Sequence, residues 1–474
     1  MLKKNMLLLF LSVVFIIGCT SNKDTEEIIL LFTNDEHGWM EPTDKTDGAA
    51  GLVNLWKENE NFIKDDKFLI LSGGDITVGP AISSWQKGKS MIEVMNEMHY
   101  DAVAVGNHEF DFDIDELKKR IGEAKFSFLA ANMKQKSTGK VPEFITPYII
   151  RDVKGVKVGI IGLSNSGTSH GTSPQYVKDF EFTSYESTLS EYVPQMKNEG
   201  AELLIVLGHI PGVEMRELVP KAKELGISII CGGHYHEQIT EIVDGVVIIE
   251  SGDHMKNYVK VEIQFDKTTK KVVKMSPTLI KNISSNPDQR ITSIVSKWRE
   301  PIDKELSEVI GFTDTVVHHR KKRMYKMITD SWISAFPNTD VSILNIGGIR
   351  HFIPQGIITL ETIVNVLPLQ NTLISFDMLG QDLLNLLKNS GAERLVFGGV
   401  NIKDGFKLSD GKAILVDSIY KVLTVDYLYY RDDYSFQKTD ENPKITSTNY
   451  REPLIDWIKS LNTTSTKPLN SFIQ

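Results

Sequence analysis

Cysteine is nearly absent: Cys19 and Cys231 are the only two in 474 residues, so no disulfide framework can be built. A basic excess is absent as well. Lys and Arg number 53 against 62 Asp and Glu, a net charge of −9, and this gives no support to binding of a nucleic-acid polymer, which requires a basic face. There is no low-complexity tract, and after the N-terminal segment no apolar run is long enough to cross a bilayer. What is present is an ordinary globular composition, 41% hydrophobic and 24% charged. The length exceeds what one hydrophobic core organises, so two domains are predicted.

Runs of β-branched and apolar residues recur along the first half, and they end in a characteristic way. "EIILLFTNDEHG" (27–38) leads into Asn34, Asp35 and His37; "FLILSGGDIT" (68–77) into Gly73, Gly74 and Asp75; "DAVAVGNHEFD" (101–111) into Asn107, His108, Glu109 and Asp111. "VKVGIIGLSN" (156–165) has no ligand-like end. "LLIVLGHIPG" (203–212) ends in His209, "ISIICGGHYHE" (227–237) in His234 and His236, and "VVIIESGDH" (246–254) in Asp253 and His254. Helical patterns such as "SMIEVMNEMH" and "IDELKKRIGEA" lie between the early strands. Alternation of strands and helices predicts α/β architecture, in which ligands bind beyond the carboxyl ends of the strands.

Each strand end taken singly has an ordinary explanation. Asp and Asn follow strands as turn residues, and one histidine is more often a satisfied core or surface residue than a ligand. The joint pattern carries the argument. Asp35, His37, Asp75, Asn107, His209, His234 and His236 are oxygen and nitrogen donors placed by one rule, expected along one edge of one sheet. Cys231 stands inside an apolar run and reads as core. The donor set suits zinc, manganese or iron over soft-metal or calcium chemistry. It is too large for one tetrahedral ion and suits two divalent ions that share a carboxylate, as in hydrolases that clamp both oxygens of a displacement. Asp75, after two glycines that let backbone and phosphate approach, is the natural bridge.

"TNDEHG", "GGD", "GNHEFD", "GH" and "GGHYH" together resemble the motif series of calcineurin-like metallophosphatases, and "TNDxHG" with "GNHEFD" resembles the 5′-nucleotidase/UDP-sugar hydrolase branch. "NTDVSILNIGGIRHFIPQGIIT" (338–359) and "LPLQNTLISFDMLGQDLLNLL" (367–387) resemble that branch's C-terminal substrate domain. The resemblance implies an N-terminal αββα metallophosphatase sandwich over 26–281 and a C-terminal mixed α/β substrate-binding domain over 310–474. The segment 282–309, which reads as turn residues followed by an amphipathic helix, would join them.

The resemblance also implies roles. Asp35, His37, Asp75 and His236 would hold one ion, and Asp75, Asn107, His209 and His234 the other. His108 and Asp111 would be a catalytic dyad, with Glu109 and Phe110 as packing and turn residues. Asn345 and Arg350 would contact substrate, the guanidinium fork suiting phosphate; Arg320 or Arg323 would supply a further cation. The activity implied is release of phosphate from nucleoside 5′-monophosphates by in-line attack of a metal-activated hydroxide. Related activities are hydrolysis of UDP-sugars, of nucleotide pyrophosphates or of 2′,3′-cyclic phosphodiesters. A reading of another class is a non-catalytic nucleotide-binding lipoprotein, which would be expected to lose ligands or dyad first; every such position is filled here. The family stacks the nucleoside base between two rings. This chain has Leu369 at the first ring position and "YYRDDYSF" (429–436) in place of the second turn, where Tyr434 is the candidate ring and Tyr430 the alternative.

The N-terminus, "MLKKNMLLLFLSVVFIIGCTSNKD", has the two lysines, short apolar stretch and polar tail of a secretory signal. It resembles the bacterial lipoprotein signal, with departures at Ile16 and Ile17, and so implies a signal peptide over 1–19, lipidation at Cys19 and export to the cell envelope. A lipid anchor would be the one membrane contact, and a small nucleotide the partner.

Overall fold

A computed structural model describes residues 24–64, 67–284, 286–389, 394–402, 405–434, 436–440 and 442–473. The signal segment and Cys19 lie outside these residues. No helix among the described residues is long and apolar enough to cross a membrane.

The apolar runs of the first half all become strands, but they divide between two sheets. Thr25–Thr33, Phe68–Ser72, Ala102–Ala104 and Ser127–Leu129 are parallel neighbours, extended on the other side by antiparallel Asn257–Asp266 and Lys271–Lys281. Val156–Leu163, Leu203–Gly208, Ile229–Cys231 and Val246–Ser251 form a second parallel set, edged by antiparallel Tyr148–Val153 and Gln238–Val243. The expectation of one sheet edge is corrected accordingly. Strand periodicity reports burial, and it carries no information about which sheet a strand joins.

The two sheets face each other across a core of Ile28, Leu30, Leu69, Leu71, Ile160, Ile205, Leu207, Cys231 and Ile249, all fully buried. Helices such as Gly48–Glu60, Lys89–Met98 and Ile114–Glu123 cover the outer face of the first sheet. Tyr185–Asn198 and Gly212–Glu224 cover the second. The result is a four-layer αββα sandwich. Strands buried on both faces read as continuous apolar runs, which is why these stood out in the sequence.

Helix Gln289–Leu306 follows, its N-terminus capped by the Asp288 carboxylate, which accepts from the amides of Arg290 and Ile291. The second domain is built on a mixed sheet in the order Leu395–Gly398, Val341–Asn345, Ile419–Val425, Thr372–Leu379, Lys444–Asn449, with its own core around Trp332, Phe376, Tyr429 and Tyr450. The strand-like reading of "IYKVLTVDYLYY" holds only to Val425. Asp426–Tyr429 is a helical turn, in which the Asp426 carboxylate accepts from the Tyr427 amide at 2.7 Å. A local side-chain hydrogen bond thus overrides the β-propensity of the tyrosines.

Helix Leu360–Val366 fixes the two domains to each other. Val364 belongs to the core of the first domain, Asn365 Oδ1 accepts from the Ala81 amide at 2.7 Å, and Glu361 forms a two-pronged pair with Arg299 of the connecting helix at 2.7 and 2.5 Å. The carbonyl of Val366 accepts from the amide of Arg350 at 2.8 Å. The packing that docks the domains therefore also places Arg350.

Candidate active site

The loops after the parallel strands of both sheets converge. Five donor residues there, Asp35, His37, Asp75, His234 and His236, have φ between 47° and 83°. Side chains other than glycine adopt this left-handed region at a cost, and such strain clusters at functional sites. Two glycines make the approach possible. A Cβ on Gly106 would lie 2.2 Å from Asp75 Oδ1, and one on Gly74 would lie 2.6 Å from the Ala104 carbonyl.

Three groups of side chains come together, the third being His236, Asp253 and His254, which shares His236 with the first. In the first, Asp35, His37 and His236 bring one donor atom each within 4.8 Å of one another. The His37 Nδ1–H donates to the Val78 carbonyl at 2.9 Å, which turns Nε2 toward His236 Nε2 at 3.3 Å. His236 Nδ1 lies 3.3 Å from Asp253. Asp35 Oδ2 accepts from Asn34 and from the His234 amide at 2.7 and 3.0 Å. In the second group, Asp75, His209 and His234 meet in the same way: His209 Nδ1–H donates to the Gly73 carbonyl at 2.8 Å, and Nε2 lies 3.0 Å from Asp75. Asn107 donates its amide N–H to the Gly171 carbonyl at 3.0 Å.

This arrangement fits two cations. Carbonyl contacts at Nδ1 fix the tautomer that leaves Nε2 as donor in His37 and His209, the usual outer-shell device at metal sites. Asn107 Oδ1 is buried and accepts no hydrogen bond, and buried polar atoms are rarely left so without a ligand; buried Asp35 Oδ1 faces His236 Nε2 at 3.3 Å and His37 Nε2 at 3.8 Å. Without a cation, protons balance the charge. Burial opposes protonation of His209, but Asp75 outweighs it and pushes the pKa up to about 10. For His236 burial is likewise outweighed, by Asp253 and Asp35, again to about 10. Burial and the charge of His209 push His234 down to about 4, and burial holds His37 well below its usual value.

To act as ligands at neutral pH, His209 and His236 must lose these protons. Adding Mn²⁺ to metal-free protein at pH 7 is therefore expected to release protons, and affinity to weaken as pH falls. A titration in weak buffer with a pH indicator checks this; uptake of metal without proton release would mean that these two histidines are already neutral in the metal-free protein.

Beside these groups, His108 Nδ1 lies 2.5 Å from Asp111 Oδ2, and the second Asp111 oxygen accepts from the Thr172 hydroxyl at 2.9 Å. Arg350 reaches across from the second domain, its Nη2 donating to His108 Nε2 at 3.0 Å, while its Nε is buried without a partner. Burial works against a proton on His108, but Asp111 and Asp75 outweigh it and raise its pKa. Asn345 Oδ1 is likewise buried and unpaired. A cleft of about 1000 Å³ opens from His37 and His236 between the domains, lined also by Trp39, Arg320, Arg350, Phe352 and Arg394.

Tyr434 does not line this cleft. Its ring stacks on Phe436 with centroids 5.5 Å apart and packs against the core of the second domain, as does Leu369. Tyr427, which sequence reasoning passed over, instead donates its hydroxyl to the His170 carbonyl of the first domain at 2.9 Å. Glu109 is more than a turn residue. Its buried carboxylate accepts from the amides of Asp75, Ile76 and Gly106 at 2.9, 2.8 and 2.7 Å, tying two loops together, and burial pushes its pKa up to about 7. Asp253 was visible as a strand end, but nothing in the sequence connected it with His236.

Comparison with known proteins agrees with this architecture. The calcineurin-like phosphoesterase family matches residues 28–238, and the C-terminal domain of 5′-nucleotidases matches residues 305–440. Endonuclease YhcR of Bacillus subtilis is 24% identical over 93% of this chain, although the chain spans only 40% of that protein's length. A 5′-nucleotidase of Vibrio cholerae is 25% identical, over 92% of this chain and 91% of its own. The crystal structure of a 5′-nucleotidase precursor from Thermus thermophilus shares the fold, with a TM-score of 0.78 at 22% identity over 93% of this chain and 97% of its own. The chain belongs to the calcineurin-like phosphoesterases that carry a 5′-nucleotidase C-terminal domain.

Proposed function

We propose that this chain is a dinuclear metallophosphatase that releases phosphate from nucleoside 5′-monophosphates, exported to the bacterial cell envelope and anchored through Cys19. The observation that carries the reading is the contact of Arg350 with His108 at 3.0 Å. It brings a phosphate-binding guanidinium from one domain to the imidazole beside both donor groups of the other. The similarity to 5′-nucleotidases over both domains supports the choice of substrate.

In this reading Asp35, His37, Asp75 and His236 hold one ion and Asp75, Asn107, His209 and His234 the second. Zinc, manganese or iron there would supply a Lewis acid for the phosphoryl oxygens and lower the pKa of the attacking water. The protein residues do the rest. Residues 26–281 hold the reacting groups, and residues 310–474, joined through 282–309, bring Arg350 and Asn345 to the substrate. Arg350 binds phosphate through its fork. Its Nη2 can only donate, so while this contact holds His108 Nε2 accepts and the imidazole proton sits on Nδ1, facing Asp111, although Asp111 and Asp75 favour a second proton on the ring. When phosphate draws Arg350 away, Nε2 is free to take a proton and stabilise charge on the transferring group, while Asp111 fixes the ring.

Arg350→Ala is expected mainly to raise KM, with kcat less affected, and Arg350→Lys to restore little because a point charge does not replace the fork. Steady-state kinetics checks both; an unchanged KM for every phosphorylated substrate removes Arg350 from the site.

The cations Arg320 and Arg394 in the cleft favour a second reading, hydrolysis of UDP-sugars or nucleotide pyrophosphates, whose additional phosphate they could meet. Phosphate release from AMP, UMP, ATP, UDP-glucose, NAD, 2′,3′-cyclic AMP and a sugar phosphate, with and without Mn²⁺, decides between them. Metal-dependent preference for the monophosphates supports the first reading. Preference for pyrophosphates replaces it with the second, and binding of nucleotide without turnover discards both.

A further inference from the structure

Three consecutive residues after the strand Val156–Leu163 each hold a different part of the site. The His170 carbonyl accepts from two groups of the second domain, the Tyr427 hydroxyl and Arg431 Nη1, both at 2.9 Å. The Gly171 carbonyl accepts from Asn107 Nδ2 at 3.0 Å. The Thr172 hydroxyl, in a residue only 1% exposed, donates to Asp111 Oδ1 at 2.9 Å.

Each contact removes a degree of freedom from a side chain that the reaction needs in one orientation. The Gly171 contact sets the Asn107 amide so that its oxygen faces the buried position where it has no hydrogen-bond partner; a flipped amide would lose the carbonyl and aim an N–H there. With one Asp111 oxygen on His108 and the other on Thr172, the carboxylate cannot rotate, and the imidazole it orients is fixed with it. The strap itself is stiff. Thr168–Gly171 is a single helical turn in which the Thr172 amide donates to the Thr168 carbonyl at 3.2 Å, and a Cβ on Gly171 would stand 3.1 Å from Asn107 Cβ. On the far side Arg431 is held by Asp433, with Nε to Oδ1 at 2.8 Å, and bonds the Tyr427 hydroxyl at 2.5 Å.

We propose that His170–Thr172 is a positioning strap through which the second domain sets the geometry of Asn107 and the His108–Asp111 pair, with Thr172 as the positioning residue for the pair and Tyr427 and Arg431 as its fastening. The docking of the second domain then acts on the chemistry by two routes: directly through Arg350, and through the strap on the residues that Arg350 meets. The kinetic part of this inference rests on the phosphatase reading; the mechanical part does not.

Thr172→Val keeps the shape and deletes the hydroxyl. It is expected to lower kcat about 10–100-fold, the usual cost of losing an outer partner of a site residue, with KM and bound metal as in the parent, and Thr172→Ser is expected to restore kcat. The double variant Tyr427→Phe, Arg431→Gln is expected to lower kcat for p-nitrophenyl phosphate, which has no nucleoside to bind. In hydrogen exchange, the amides of residues 168–172 are expected to lose protection in that variant. An unchanged kcat in Thr172→Val, or a low kcat that serine does not restore, overturns the role of Thr172. Unchanged exchange, with only nucleotide KM altered in the double variant, overturns the fastening and makes Tyr427 and Arg431 substrate contacts. If the parent hydrolyses no phosphoester, the proposed function fails, and the exchange comparison alone still decides whether the strap exists.

Discussion

His108→Ala is expected to lower kcat by about 10²–10⁴-fold, the contribution of a positioned proton-transfer group, while leaving bound metal unchanged. The geometry separates these two outcomes. Both ring nitrogens of His108 are engaged away from the donor groups, Nδ1 by Asp111 and Nε2 by Arg350. Among the described residues, neither donor group that holds Asp35 or Asp75 contains His108. The His108 ring stands edge-on to His37 with centroids 5.2 Å apart, and its amide donates to Asp75 Oδ1 at 2.8 Å, a contact that alanine keeps. Kinetics together with metal analysis of the purified variant checks the prediction. Loss of an ion with the ring would make His108 a ligand; retention of activity would leave the dyad without a role.

What was legible in the sequence follows from which interactions are local. Asp35, Asp75 and Asn107 each stand within a few residues of a strand end, and a parallel sheet buried on both faces announces its strands as apolar runs. The loops that bring these donors together could therefore be read directly. Partnerships between distant segments could not. Arg350 meets His108 because Val364 and Asn365 dock one helix onto the first domain, and that docking depends on surfaces with no common sequence period. The pairing of Asp253 with His236 and that of Thr172 with Asp111 are invisible for the same reason. Tyr427 reaches the first domain because the chain leaves its strand at Val425 and makes a helical turn, while Tyr434 stacks on Phe436. Identifying a tyrosine-rich segment does not say which ring faces the partner surface when two or three residues of backbone geometry decide it. Residues in the middle of a motif were underread in turn: Glu109 looked like filler because its partners, the amides of Asp75, Ile76 and Gly106, are backbone groups that any sequence supplies.

Asp75→Asn tests whether one carboxylate serves two ions. The substitution is close to isosteric. The amide oxygen can still accept from the His108 amide at the Oδ1 position, and the close packing against Gly106 is undisturbed. What is lost is the charge, at a fully buried group that now stands 3.0 Å from His209 Nε2. The charges of His209 and His108 hold the Asp75 carboxyl ionised against the effect of burial, well below the usual carboxylate range. Asparagine would turn two N–H donors toward atoms that must themselves donate electron pairs to a cation. A shared carboxylate lowers the charge seen by both ions, so its neutralisation is expected to empty both positions and reduce turnover below that of His108→Ala. Asp35→Asn, by contrast, alters one donor group and is expected to cost a single ion per chain. Metal analysis of the two variants, dialysed against the same free Mn²⁺, distinguishes the cases. Retention of one ion in Asp75→Asn would assign Asp75 to one position alone and leave the bridging of the pair to another residue.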